Sequence, residues 1–221
     1  MRAAATVGIA IDPRRAVALA LPVAVPLAMT ATFVVARDRL GDHLGYVAGF
    51  GTYWAACAGL SLGLLGRRRV QCLFRDVRPR LGQSALVGAA LLVWPPLGAI
   101  ATRFVPELGH ATPAMVATIA AVAVANATLE ELLWRGVYVT YWPENAILGW
   151  IWPAVGFGVW HLAPQVIHAS SMGAGVYVAS AVALGLSWGW VAWKTRSLRW
   201  VSVSHVFTDG SGLRNAVFFL G

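Results

Sequence analysis

The sequence has little charge. Asp, Glu, Lys and Arg together make up 12 % of its 221 residues, where a soluble domain carries roughly a quarter. With a hydrophobic fraction of 58 % and a mean hydropathy of +0.67, that shortage excludes an ordinary soluble globular domain. Lysine is nearly absent, since Lys194 is the only one among 17 basic residues. Cysteine is scarce too. Cys57 is expected inside an apolar helix and Cys72 in a basic loop, so no disulfide is expected. Met1 to Pro13 offer too short an apolar core for a signal peptide, and the first span is expected to stay as an anchor. The sequence also lacks an HExxH helix, a cofactor-binding motif, internal repeats and any polar linker.

What is present is a series of apolar runs. At about 20 residues per span, the chain has room for roughly six to eight spans and no separate soluble domain. The runs cover about Ala16 to Ala36, Leu44 to Leu65, Ser84 to Phe104, Pro113 to Trp142, Asn145 to Leu162 and Gly173 to Trp193. A shorter apolar helix follows from near Leu198 to about Asp209. Pro22, Pro26, Pro95, Pro96 and Pro153 are expected to kink the spans that hold them. The fold class expected is an all-α membrane protein of about seven transmembrane helices. Residues 1–110 would supply about three N-terminal helices and a basic cytoplasmic loop at 66–83, and residues 111–221 would form the functional helical region.

The net charge of +8 does not point to nucleic acid, because of where the charge lies. Arg67, Arg68, Arg69, Arg75, Arg78 and Arg80 crowd one inter-helix segment, as the positive-inside bias demands of a cytoplasmic loop. Arg14, Arg15 and the Lys194–Arg199 turn fall on the same side with this count of spans. The expected partner surface is the lipid bilayer, and the expected location is the plasma membrane, multi-pass, with a cytoplasmic N-terminus. The 11 Trp residues suit the lipid–water boundary or helix packing. His43, His110 and His168 are expected to be solvated loop residues.

Against this background the ionisable residues inside apolar helices need a reason, because each costs at least about 2.5–3.5 kcal/mol to insert. They are Glu130, Glu131, Arg135, His161, His205 and Asp209, all in the last four helices. Glu131 and Arg135 are four apart and can pair on one face. Glu130 points about 100° away from Glu131, with Asn126 one turn before it. His205 and Asp209 share a face, and Phe157 lies one turn before His161. Rises of about 1.5 Å per residue let Glu130, His161 and His205 reach a common depth.

Three stretches then carry a resemblance. Glu130-Glu131-Leu132-Leu133-Trp134-Arg135-Gly136 resembles the EExxxR motif of the CPBP family, the CAAX-protease and bacteriocin-processing intramembrane proteases. Phe157-Gly158-Val159-Trp160-His161 is similar to its FxxxH motif, and His205-Val206-Phe207-Thr208-Asp209 to its HxxxN/D motif. The resemblance covers about Asn126 to Asp209. It implies an intramembrane endopeptidase in which Glu130, helped by His161, activates a water, and His205 with Asp209 stabilises the oxyanion. Glu131 and Arg135 would form a supporting pair, with Asn126 and Phe157 beside them. It also implies glutamate-dependent, metal-free chemistry with no cofactor, acting on a peptide or membrane-protein substrate.

Many members carry Asn where this chain has Asp209. An ionised Asp cannot donate to an oxyanion, and it would instead orient His205. The competing chemistry is a zinc ion on Glu130, His161, His205 and Asp209. The competing function is a non-enzymatic membrane protein, either a bacteriocin immunity factor or a proton-coupled transporter, because buried carboxylates and histidines also make proton relays.

Overall fold

The computed structural model describes residues 12–75, 81 and 84–221, and its regular structure is helical throughout. The first helical stretch, Pro13–Arg75, has non-helical backbone at Gly41 (φ 77°) and Gly66 (φ 74°). Positive φ is open to glycine because it has no Cβ to clash, so the chain can reverse at Gly41. A Cβ on Gly45 would stand 2.9 Å from the Arg37 backbone, and one on Gly49 2.6 Å from the Phe33 ring. Two antiparallel helices therefore lie against each other, α1 (13–40) and α2 (42–65). After Gly66 the chain continues as α3 (67–75).

The basic segment expected as a loop over 66–83 is thus partly helical. Arg67, Arg68, Arg69 and Arg75 sit on α3, while Arg2, Arg78 and Arg80 lie outside the described residues. Helical hydrogen bonding is local, and nothing in a run of arginines forbids it. Pro22 and Pro26 lie within α1 without a break in its dihedrals.

Next comes α4 (Ala85–His110), which widens into a π-helical turn at Ile100–Phe104 downstream of Pro95 and Pro96. Helix α5 (Pro113–Tyr141) follows, capped by the Thr112 hydroxyl, which accepts from the Met115 amide at 3.2 Å. Within α5 another π turn occupies Leu132–Gly136. Helix α6 (147–160) ends where Pro164 follows. Helix α7 (Ala174–Thr195) starts after Gly173 at φ 80° and closes on Arg196 in the left-handed conformation. Helix α8 (Arg199–Gly210) and the short α9 (Val217–Leu220) complete the chain.

Among the described residues four helical stretches are long and apolar enough to cross a membrane: Pro13–Arg75, Ala85–His110, Pro113–Tyr141 and Ala174–Thr195. Their outer faces carry exposed Leu27, Leu86, Leu97 and Val176, as a lipid-facing surface should. At about 1.5 Å per residue, α6 and α8 are shorter than a full crossing.

Side-chain contacts tie the helix ends together at two poles. At one pole the Leu198 amide donates to the Leu73 carbonyl at 2.9 Å, Tyr141 Oη donates to the Leu64 carbonyl at 2.7 Å, and Arg196 pairs with Glu144 at 3.3 Å. At the other, Arg37 donates to the Val166 carbonyl at 3.1 Å, and the Arg214 amide donates to Glu107 at 2.7 Å. The first pole therefore gathers α3, the turn after α5 and the Lys194–Arg199 segment, as the arginine pattern implied. The core between the poles is aromatic and aliphatic, with Phe33, Tyr53, Leu133, Trp134, Tyr138, Phe157, Trp160 and Trp188 buried.

Candidate active site

Five of the six ionisable residues converge in the middle of this bundle. Glu130 and Glu131 end the regular part of α5, and the π turn at Leu132–Gly136 follows at once. Single π turns inside α-helices are uncommon and concentrate at functional sites. Glu130 and Glu131 are fully buried, and Arg135 and His205 are 2 % exposed.

The two glutamates face different neighbours, as their 100° offset requires. Glu131 Oε1 lies 3.1 Å from Arg135 Nη1 and 2.9 Å from His205 Nδ1. Arg135 also stands 4.2 Å over the Phe157 ring, close enough for a cation–π contact in place of further hydrogen bonds. Glu130 accepts from Tyr53 Oη through Oε1 (2.8 Å) and from Asn126 Nδ2 through Oε2 (3.0 Å). Its Oε2 is 3.4 Å from His205 Nε2.

His205 sits among three carboxylates. Glu131 meets Nδ1, while Glu130 and Asp209, each at 3.4 Å, meet Nε2. The Nδ1 contact is a hydrogen bond, while the two contacts at Nε2 are longer, electrostatic ones. The indole of Trp188 stacks on it at 4.1 Å and 24°, and Trp188 Nε1 is itself anchored on Ser204 Oγ at 2.9 Å. Asp209 Oδ2 also accepts from Asn126 Nδ2 at 3.0 Å. Asn126 therefore bridges Glu130 and Asp209.

His161 stands slightly apart. Its Nδ1 lies 2.7 Å from the Phe157 carbonyl oxygen. A carbonyl only accepts, so Nδ1 carries a proton, and in the neutral ring Nε2 is the acceptor. The Phe157 ring fills the space between the partners, with centroids 4.8 Å from His161 and 5.9 Å from His205. His161 is therefore outside the tightest cluster. Glu130, His205 and Asp209 each offer a ligand atom within 4.8 Å of one another, and His161 is not one of that group. Of the four residues expected as a zinc set, three are brought together. The two 3.4 Å nitrogen–oxygen separations match the edge of a tetrahedron with bonds of about 2.0–2.1 Å, so the two edges that meet at His205 suit such an ion.

The cluster is closed toward the basic pole and open toward the other. Glu131, Trp134 and Arg135, on the basic side of Glu130, are buried. Asn126, His161 and Asp209 lie on the far side and are partly exposed, with the Asp209 side chain at 28 %.

Several members of the site were not anticipated. Tyr53 bonds Glu130, accepts from Trp134 Nε1 at 2.8 Å, and stacks on Trp160 at 3.6 Å and 15°. Trp54 Nε1 donates to Asn126 Oδ1 at 2.9 Å. Both belong to α2, far from the motifs in sequence. The only signal available was that buried Tyr and Trp need a polar partner. His43 and His168, expected in solvent, are packed instead. His168 stacks on Phe218 at 3.9 Å, and His43 Nδ1 lies 3.1 Å from the Phe218 carbonyl. The C-terminal segment covers them with an aromatic surface. Cys57 and Cys72 are both free thiols, buried and exposed respectively.

No curated protein and no solved structure matches this chain. One family model does, that of the Type II CAAX prenyl endopeptidase Rce1-like family, over residues 112–211. That stretch begins at the cap of α5 and ends just past Asp209, so it holds all three motifs and leaves Tyr53 and Trp54 outside. Over residues 112–211, somewhat under half of its length, the chain is similar to the Type II CAAX prenyl endopeptidase Rce1-like family.

Proposed function

We propose that the protein is an intramembrane endopeptidase in which Glu130 activates the attacking water. The observation that carries this reading is the compact cluster of Glu130, His205, Asp209 and Asn126, within a stretch that matches an endopeptidase family model. Glu130 Oε1 is taken up by Tyr53, which leaves Oε2 as the oxygen facing His205 and Asp209. A water at Oε2 would lose its proton there as it attacked a peptide carbonyl. His161, with Nε2 free to accept, would assist the same transfer. His205 as imidazolium would donate from Nε2 to the developing oxyanion, where preorganised donors act most strongly in a site shielded from bulk water.

Asp209 supports His205 in this scheme. Its carboxylate lies 3.4 Å from Nε2 and takes an amide hydrogen from Asn126, which favours an orienting role over donation to the oxyanion. Glu131 holds the opposite nitrogen of the ring, and Arg135 pairs with Glu131 to balance its charge. The transmembrane count we favour is seven, with α1, α2, α4, α5 and α7 as full crossings and α6 and α8 as short ones carrying His161, His205 and Asp209. Residues 1–110 then act as a supporting unit around the 111–221 catalytic region, with the N-terminus cytoplasmic and the plasma membrane as location. The substrate is a peptide or membrane-protein segment that enters from the end where Asp209 is exposed.

Zinc is a second reading of the same site, favoured by the ligand spacing. Glu130, His205 and Asp209 would hold the ion, which would supply Lewis-acid activation of water. Glu131 on His205 Nδ1 would then orient the ring. The test is cleavage of a pooled peptide library by the purified protein in lipid, comparing wild type with Glu130→Gln. Loss in the variant, with chelator harmless to the wild type, supports the metal-free glutamate reading. Loss with chelator and recovery with zinc supports the metal reading. Turnover retained by Glu130→Gln contradicts both.

A further inference from the structure

We infer that Tyr53 and Trp54, adjacent residues of the N-terminal hairpin, are positioning residues of the site, Tyr53 selecting the oxygen of Glu130 that exchanges protons and Trp54 setting the direction of the Asn126 amide. The inference rests on the endopeptidase reading of Glu130. It concerns a part of the chain that the family model does not match.

The hydrogen-bond inventory fixes both directions. An indole N–H only donates. Trp134 Nε1 therefore gives its hydrogen to Tyr53 Oη at 2.8 Å, and the phenolic hydrogen is directed at Glu130 Oε1, its acceptor at 2.8 Å. Stacking on Trp160 at 3.6 Å prevents the phenol from swinging away. Oε1 is thereby held as an acceptor. Any proton that Glu130 gains from water goes to Oε2, the oxygen on the side of His205. In the same way Trp54 Nε1 donates to Asn126 Oδ1 at 2.9 Å, so the amide oxygen is committed to α2. The amide nitrogen must face inward, where it donates to Glu130 Oε2 and Asp209 Oδ2 at 3.0 Å each. A flipped amide would turn its oxygen toward both carboxylates. Two neighbouring side chains, pointing about 100° apart on α2, thus set the hydrogen-bond polarity of the whole cluster.

The experiment compares wild type, Glu130→Gln, Tyr53→Phe, Trp54→Phe and the double variant Tyr53→Phe/Trp134→Phe on a library peptide that the wild type cleaves. Tyr53→Phe keeps the ring stack and loses the hydroxyl. Its kcat is expected to fall about 10- to 100-fold with KM within about threefold, the signature of an interaction made in the transition state. Because Tyr53→Phe also strands the Trp134 N–H, it lowers the melting temperature. The double variant removes that stranded donor, so it should regain stability without regaining kcat. Trp54→Phe should lower kcat with a similarly small change in KM.

A Tyr53→Phe enzyme within threefold of wild-type kcat overturns the inference, as does a double variant that recovers kcat together with stability. Turnover by Glu130→Gln would instead remove the endopeptidase reading itself. A readout that needs no turnover is the 15N-indole spectrum in nanodiscs. Glu130→Gln should shift the Trp134 signal through Tyr53, and Asn126→Leu should shift that of Trp54. If both signals stay in place, the links are absent and the inference fails.

Discussion

Arg135 faces one carboxylate and two aromatic rings, and it is 2 % exposed beside a fully buried Glu131. Losing one partner of a buried pair costs up to about 3–5 kcal/mol, and without Arg135 the buried Glu131 keeps only its contact with His205. Arg135→Met is therefore expected to lower the stability of the detergent-solubilised protein by that amount. Glu131→Gln/Arg135→Met should recover most of it, which a double-mutant cycle by thermal unfolding can measure. His205→Ala should abolish cleavage, while His161→Ala should leave a measurable residue of activity, because His161 stands behind Phe157 and outside the tight cluster. Equal loss in the two variants would contradict that ranking.

At this scale the sequence was informative where charge was concerned and silent where it was not. Glu130, Glu131, Arg135, His205 and Asp209 stood out because a titratable group inside an apolar helix is costly, and their i, i+4 spacing foretold which would meet. Tyr53, Trp54 and Trp134 did not stand out. Their hydroxyl and indole groups sit on rings that the apolar pattern absorbs, and the chain holds 5 Tyr and 11 Trp.

Helix packing depends on positions where only glycine fits. A Cβ on Gly156 would lie 2.6 Å from the Pro22 backbone and 2.8 Å from the Trp134 ring. Neither the proline backbone nor a fully buried indole can retreat far. Gly156→Val is expected to destabilise the fold by about 1–3 kcal/mol through overpacking, read as a lower melting temperature. Gly51→Ala, at a helix position where a Cβ meets nothing within 4 Å, should be close to neutral. An unaffected Gly156→Val protein would mean that α6 does not rest on α1 as described.

Element boundaries followed the apolar runs closely, since hydropathy marks where a helix may lie in lipid. The reversal at Gly41 fell between the first two expected spans. The helical course of 67–75 was missed because arginine is as good a helix former as a loop residue. The π turn at Leu132–Gly136 was also missed, because it alters backbone hydrogen bonding without altering the side-chain pattern.

Across the whole molecule, basic residues collect at one pole and the opening of the cluster lies at the other. Arg67, Arg68, Arg69, Arg75, Lys194 and Arg199 share the pole of α3, with Cys72 exposed among them. In the orientation proposed above, the positive-inside bias puts that pole in the cytoplasm. Cys72 should therefore resist a membrane-impermeant thiol reagent added to intact cells and react once the membrane is permeabilised, while the buried Cys57 stays unlabelled in both. Labelling of Cys72 from outside would invert the orientation. The overall class was legible from composition alone. What joins the two halves was not, because the Tyr53–Glu130 and Trp54–Asn126 hydrogen bonds span 77 and 72 residues of sequence, and no local pattern records a contact of that range.

The most direct measurement of the central claim is turnover of a library peptide by wild type and by Glu130→Gln, both reconstituted in lipid and both shown to be folded. Glutamate-activated hydrolysis predicts cleavage by the wild type and loss of at least about 1,000-fold in the variant, in line with removal of the group that activates the nucleophile. Cleavage by a folded Glu130→Gln protein at a rate near that of the wild type would contradict it.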